Sequence, residues 1–187
     1  MTLEDRRTRE QAARRQLIIT TARALAEAEG WEAVTTRRLA TEIEYSQPVI
    51  YKHFAGMDQI AAAIAVEGFG ELADAIRTAR SSPDPLNRIA HAYVDFARHN
   101  PAVYDVMFTR VTTLHFAAPD TPPELTAAFT ELREAVAVAA HGQDTDALTE
   151  VVWAALHGLV VLSRAGRLRP GYESDRIQLL VAQFTRG

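Results

Sequence analysis

Between Thr35 and His53 the chain collects side chains that a merely solvated helical surface has no use for. The amide of Gln47 can pair bidentately with adenine, and Val49 beside Pro48 offers an apolar contact to a thymine methyl. Tyr51, Lys52 and His53 can reach phosphate oxygens, and Arg37 can take either guanine O6 and N7 or a phosphate. Thr35 and Thr36, at a helix start, add hydroxyls to backbone amides that together favour an anion. Other chemistries are poorly supplied. With no cysteine there is no thiol nucleophile, disulfide or thiolate zinc site. His91, His99, His115, His141 and His157 lack the His-x-x-x-His and His-Glu-x-x-His spacings, so no metal is expected. No nucleophile–base pair, paired carboxylates or cofactor fingerprint stands out, so neither an enzyme nor a cofactor is expected.

Those side chains need a rigid scaffold, and local patterning supplies one. Thr35-Thr36 gives an N-cap hydroxyl ahead of Leu39, Ala40 and Ile43, the apolar stripe of a short helix. Ser46 is expected to cap a second short helix, Gln47 to about Phe54, with Pro48 in its first turn where a missing N–H costs little. Helical geometry turns Ile50 and Phe54 toward a core and Pro48, Val49, Lys52 and His53 toward solvent, with Gln47 and Tyr51 on the flank. Two capped helices separated by Glu44-Tyr45-Ser46 match a helix-turn-helix, whose second helix enters a DNA major groove. Thr35, Thr36, Arg37, Ser46, Gln47, Pro48, Val49, Tyr51, Lys52 and His53 are therefore the expected DNA-binding residues.

Nearly every other segment also reads as helix, and no period-two alternation is long enough for a strand. Helices are expected over about Thr8–Glu29, Asp58–Arg80, Leu86–His99, Pro101–Phe116, Glu124–Ala140, Asp146–Arg164 and Ser174–Phe184, with breaks at Ser81–Pro85 and Ala117–Pro123. The fold class is thus all-α: a helix-turn-helix domain over 1–57 and a helical ligand-binding and dimerisation bundle over 58–187. A length of 187 residues, 48% hydrophobic and 24% charged, is ordinary globular composition with enough chain for a packed core. No run approaches about 18 unbroken apolar residues and the amino terminus has no apolar signal segment, so a cytoplasmic protein without membrane association is expected. The net charge of −4 argues against a nonspecific polyanion binder. It hides a segregation, because residues 1–58 balance nine basic against nine acidic side chains and the remainder carries the whole deficit. Arg6 to Arg15 supply five cations along a short arm, so the charge is permissive for nucleic acid at one end only.

Arg15-x-x-Ile18-x-x-x-Ala22, Gly30, Thr35-Thr36-Arg37-Arg38-Leu39-Ala40, Ser46-Gln47-Pro48-Val49-Ile50-Tyr51-Lys52-His53-Phe54 and Ile60 together resemble the TetR family of transcriptional regulators. The resemblance covers roughly residues 13–60. It implies that Arg37 and Gln47 read bases while Thr36, Tyr51 and Lys52 hold the backbone. Two positions depart from the family pattern. Glu44 stands where glycine is usual, and a left-handed non-glycine costs about 1–2 kcal/mol, so a differently shaped turn is expected there. Met57 stands where lysine is favoured, which removes one phosphate contact. Farther on, Trp153-x-x-x-His157-Gly158 with Tyr104-x-x-Met107-Phe108 resembles the subgroup whose effector domain is named for its Trp, His and Gly.

In the carboxy-terminal part, Tyr93, Phe96, Tyr104, Met107, Phe108, His115, Phe116, Phe129, Trp153 and His157 are the expected ligand-binding residues, an apolar lining with few polar groups. Interior packing accounts for the same spacing. The helix from Asp146 is apolar around most of its circumference and needs two covered sides. Val152, Leu156, Leu159 and Val160, with Ile177, Leu180, Val181 and Phe184 of the last helix, are expected to form a two-fold dimer interface. The function that follows is a homodimeric repressor that binds a pseudo-palindromic DNA operator and is released by a small apolar effector. The alternative is an all-α small-molecule-binding protein or enzyme without DNA binding, with His157 near Tyr93 or Asp95 as its acid–base group.

Overall fold

The computed structural model describes residues 2–110, 114, 118–119 and 121–185. Among them run nine helices and no strand: α1 (Leu3–Glu29), α2 (Thr36–Glu42), α3 (Gln47–His53), α4 (Met57–Arg80), α5 (Pro85–His99), α6 (Pro101–Phe108), α7 (Pro123–Ala137), α8 (Thr145–Arg164) and α9 (Glu173–Thr185). A 3-10 turn at Trp31–Ala33 joins α1 to α2. The helices pack as two units, Met1–Gly68 with Asn100–Leu114, and Phe69–His99 with His115–Gly187.

In the first unit, Ile18, Ile19, Ala22, Leu25 and Ala26 of α1 are buried, as are Leu39 of α2 and Ile50 of α3. Apolar burial therefore begins only at Ile18, yet α1 starts five residues before the expected Thr8. A capping box starts it instead: Asp5 N–H donates to Thr2 Oγ1 at 3.2 Å and Thr2 N–H donates to the Asp5 carboxylate at 2.8 Å. The start of α6 is held from α1. Its N-cap residue Asn100 makes no side-chain cap bond, and the Glu27 carboxylate accepts the N–H groups of Ala102 and Val103, each at 3.1 Å. The Trp31 indole donates to the Ala102 carbonyl oxygen at 2.8 Å. The helix stops at Phe108, short of the expected Phe116, where the Thr109 and Arg110 N–H groups both close on the Asp105 carbonyl oxygen at 2.9 and 2.8 Å.

The turn between α2 and α3 keeps a left-handed residue, contrary to the expected reshaping: Glu44 has φ 57°. Tyr45 N–H closes on the Ala40 carbonyl oxygen at 2.9 Å, a wrap that demands this conformation of Glu44. Glu44→Gly is therefore expected to stabilise the protein by about 1 kcal/mol and raise Tm by about 2–4 °C. Thermal unfolding of the two proteins checks it, and an unchanged or lower Tm means the backbone there is unstrained.

In the second unit α8 packs on α7 and α5, and α9 packs on α5. Arg77 of α4 donates to Glu131 of α7 at 2.7 Å, and Arg80 reaches both Glu131, at 3.0 Å, and Glu134. Asp144 caps α8 by accepting the N–H groups of Asp146 and Ala147.

Candidate nucleic-acid interface

With Leu39 and Ile50 fully buried, the opposite sides of α2 and α3 face solvent. The two arginines of α2 have different fates. Arg38 donates to Glu42 at 2.8 Å and to Glu29 at 3.1 Å, whereas Arg37 is exposed and has no ion pair among the described residues. The Thr35 hydroxyl caps α2 by accepting Arg38 N–H at 3.1 Å. Thr36 Oγ1 and Tyr51 Oη lie 3.5 Å apart, one from each helix, so both can reach a single phosphate oxygen. Tyr51 is 52% exposed, and Gln47, Pro48 and Lys52 are exposed beside it.

Three details differ from expectation. Ser46 occupies the N-cap position of α3 but its hydroxyl makes no cap bond, because Pro48 has no N–H and Val49 N–H is taken by the Ser46 carbonyl oxygen at 2.9 Å. The exposed hydroxyl stays available to an outside partner. Val49 and His53, expected on the solvent face, are half-buried and mark the edges of the outward arc. Lys52 and His53 also stand in the last turn of α3, where a cation complements the helix dipole whatever else it does.

The described members of the expected ligand-binding set are shared between the two units. Tyr93 and Phe96 on α5 are buried in the second unit, where Phe129 on α7 and Trp153 and His157 on α8 are half-buried. There the Trp153 indole N–H donates to Tyr93 Oη at 3.1 Å. Burial pushes the His157 imidazole below its ordinary value of 6.5, which keeps it neutral at pH 7. Tyr104 and Met107 are instead buried in the first unit with half-buried Phe108, the rings of Tyr104 and Phe108 4.7 Å apart. His115 and Phe116 lie outside the described residues. None of the ten lines the cavity of about 20 Å³ beside Leu159 and Ile177, or the cleft of about 340 Å³ between Trp31, Met57 and Arg110. Aromatic residues at helical spacing mark an interior, and the pattern does not tell which interior.

The expected interface residues divide by burial within their own subunit. Val152, Leu156, Val160, Ile177 and Val181 are at most 8% exposed within their own subunit, while Leu159, Leu180 and Phe184 are half-buried. The open side of α8 carries Val151, Ala154, Gly158, Val161 and Leu162, with Val151 55% and Leu162 45% exposed. On α9 the open apolar residue is Leu179, at 64%. A helix apolar nearly all round does not declare which side faces its own bundle. By length and composition α8 is long and apolar enough to cross a membrane, and 22% of its most apolar 18-residue window is buried.

Comparison with known proteins gives this arrangement a family. Residues 18–64 match the model described as bacterial regulatory proteins, tetR family, and residues 86–184 match the tetracyclin repressor-like C-terminal domain. The uncharacterized HTH-type transcriptional regulator YobS of Bacillus subtilis is 33% identical over 100 residues, 51% of this chain and 52% of that protein, so the match spans about half of that relative's length. The uncharacterized HTH-type transcriptional regulator Rv0681 of Mycobacterium tuberculosis is 27% identical over 160 residues, 81% of this chain and 71% of that one. In fold, the TetR family transcriptional regulator PfmR from Thermus thermophilus is similar with a TM-score of 0.63 at 18% identity, covering 91% of this chain and 97% of that chain. The second family model alone spans more than half of the chain. With Arg37, Gln47 and Lys52 exposed on the outward α2–α3 face of the amino-terminal match, the chain belongs to the tetR family of bacterial regulatory proteins, as a DNA-binding transcriptional regulator and not an enzyme.

Proposed function

We propose that the chain acts as a homodimeric repressor that reads a pseudo-palindromic operator with two copies of α3 and leaves it when a small, largely apolar molecule binds. The observation that carries this reading is the outward face of α2 and α3, where Arg37, Gln47 and Lys52 are exposed while neighbouring Arg38 is held by two carboxylates. Gln47, at the first position of α3, meets base edges, Arg37 a guanine or a phosphate, and Pro48 and the edge of Val49 a thymine methyl. The Thr36–Tyr51 pair, Thr35, Ser46, Lys52 and His53 fix the register on the backbone. The division of labour is residues 1–57 for DNA and 58–187 for ligand and partner. Two copies joined through the open side of α8 would present half-sites one turn, about 34–36 Å, apart. Tyr93, Trp153 and neutral His157 supply the few polar groups of an otherwise apolar ligand lining. The effector needs to favour the releasing state by only about 1–3 kcal/mol.

The test is selection of bound fragments from random DNA, followed by titration of the selected duplex. Gln47→Ala is expected to lose about 1–3 kcal/mol, roughly tenfold to a hundredfold in Kd, and to relax one base position in each half-site. Binding that is unchanged in affinity and sequence preference would remove α3 as the reading helix.

A further inference from the structure

We propose that the first four turns of α1 form a second DNA-contacting element, an arginine arm that grips backbone phosphates just outside the site read by α3. The proposal rests on the reading of α3 above. Residues 3–17 are exposed, so little beyond its own backbone holds this half of α1 as a helix. At its base Gln16 donates to Glu67 of α4 at 3.1 Å. A helix of about 15 residues is marginal in water by itself. Here it is carried by unbroken continuity with the packed half and by the Thr2–Asp5 capping box.

The register of the helix shows which way its charge faces. Eleven residues make about three turns, so positions eleven apart share a face. Arg7, Gln11, Arg14 and Arg15 stand eleven residues before Ile18, Ala22, Leu25 and Ala26, which are the buried face of α1. One continuous face thus changes from apolar to cationic at the point where it runs out of protein to cover it. An apolar extension would want more core, and a cationic one wants an anionic surface on the same side. The local carboxylates do not neutralise it. Glu10 pairs with Arg6 at 2.9 Å, and Asp5 is engaged in the capping box. Glu4 shares the face only at the tip, in the first turn, where it complements the helix dipole. Arg7 and Arg14 have no ion pair among the described residues.

The arm also starts in the right place. The Arg15 guanidinium sits 4.7 Å above the ring of Phe54, the residue that closes α3. Arg7 lies about 12 Å farther along the helix, about the width of a major groove. The anionic surface adjacent to an inserted α3 is the phosphate backbone next to its half-site, and a guanidinium fork matches phosphate geometry.

The experiment compares the full-length chain with the double variant Arg7→Ala, Arg14→Ala on the selected duplex, once with long flanks and once trimmed to the outer edges of the half-sites. Alanine favours helix at exposed positions, so the variant folds. On the flanked duplex the slope of log affinity against log salt is expected to become shallower by about two per bound chain, one for each arginine, with about a tenfold loss of affinity. Trimming should cost the original chain the same amount and the variant nothing. Equal slopes for the two proteins on the flanked duplex overturn the arm. So does a fall in the variant's sedimenting mass with its slope unchanged, which would place the arm on the acidic surface of a second copy. If Gln47→Ala weakens binding while the arginine variant is silent, only the arm fails; if the original chain retains no duplex, both readings fail.

Discussion

Gly68→Val is expected to cost the amino-terminal unit about 3 kcal/mol or more, lowering Tm by about 6–12 °C. Gly68 lies in the part of α4 that belongs to this unit, and a Cβ added there would stand 2.5 Å from Val103 Cγ1 and 2.8 Å from Met107 Sδ of α6. Met107 can swing aside, but Val103 is fully buried, and its helix start is tied to α1 through the Glu27 carboxylate and to the following 3-10 turn through the Trp31 indole. The wedge cannot be relieved by sliding α6 without breaking those bonds. Alanine at the same position sets two opposing effects against each other: about 1 kcal/mol gained from helix propensity and about 1–3 kcal/mol lost to overpacking. The balance should be a smaller loss, reversed by a compensating Val103→Ala. Gly70, two residues on, is the control. Its added Cβ would meet only Glu124 Cγ at 3.7 Å, ordinary contact, so Gly70→Ala should be neutral or stabilising. Denaturant unfolding followed by tryptophan fluorescence, from Trp31 and Trp153 together, reads the four variants against the original chain, and a Gly68→Val midpoint equal to that of the original would mean α4 and α6 are not held this close.

Where a helix boundary depends on neighbours in the chain, the amino-acid order was sufficient. Thr35 and Pro48 place the starts of α2 and α3, and the apolar period from Asp146 places the start of α8 within a residue. Even the contrast between Arg37 and Arg38 is half visible, because Glu42 stands four residues after Arg38, the spacing of a helical ion pair. Its second partner, Glu29, belongs to another helix and is found only by folding. The capping of α6 by Glu27 is likewise invisible, since the carboxylate comes from 75 positions away. The early start of α1 lies beyond the apolar period, where only the capping box marks it. The ligand and interface residues stay open for a single physical reason. Burial pattern says that a residue is covered, and a helix apolar on most sides leaves open whether its own bundle, another bundle or a second chain covers it.

Gly158→Glu should separate those possibilities, because its two effects have opposite signs. Gly158 sits on the open side of α8 among Val151, Ala154, Val161 and Leu162, and a Cβ built there meets nothing within 4 Å of its own subunit. Within one chain the substitution is therefore favourable, replacing glycine by a good helix former for about 0.5–1 kcal/mol. Across a two-fold interface the same position brings two carboxylates into a desolvated contact, with no described cation on this stripe to pair them. Stranding an unpaired charge in such a contact costs about 3–5 kcal/mol, so the dimer should weaken by at least about a hundredfold. A weakened dimer also removes the second half-site from reach, and operator affinity should fall by about two orders of magnitude or more as the avidity of paired heads is lost. Sedimentation and titration of the selected duplex measure both consequences in one preparation, with thermal unfolding as the check that the subunit itself is intact. A cooperative unfolding transition retained while mass and affinity fall separates a lost interface from misfolding, even though the lost dimer lowers apparent stability by mass action. A Gly158→Glu protein that keeps dimer mass and operator affinity would place the partner on another face, such as that of Leu179.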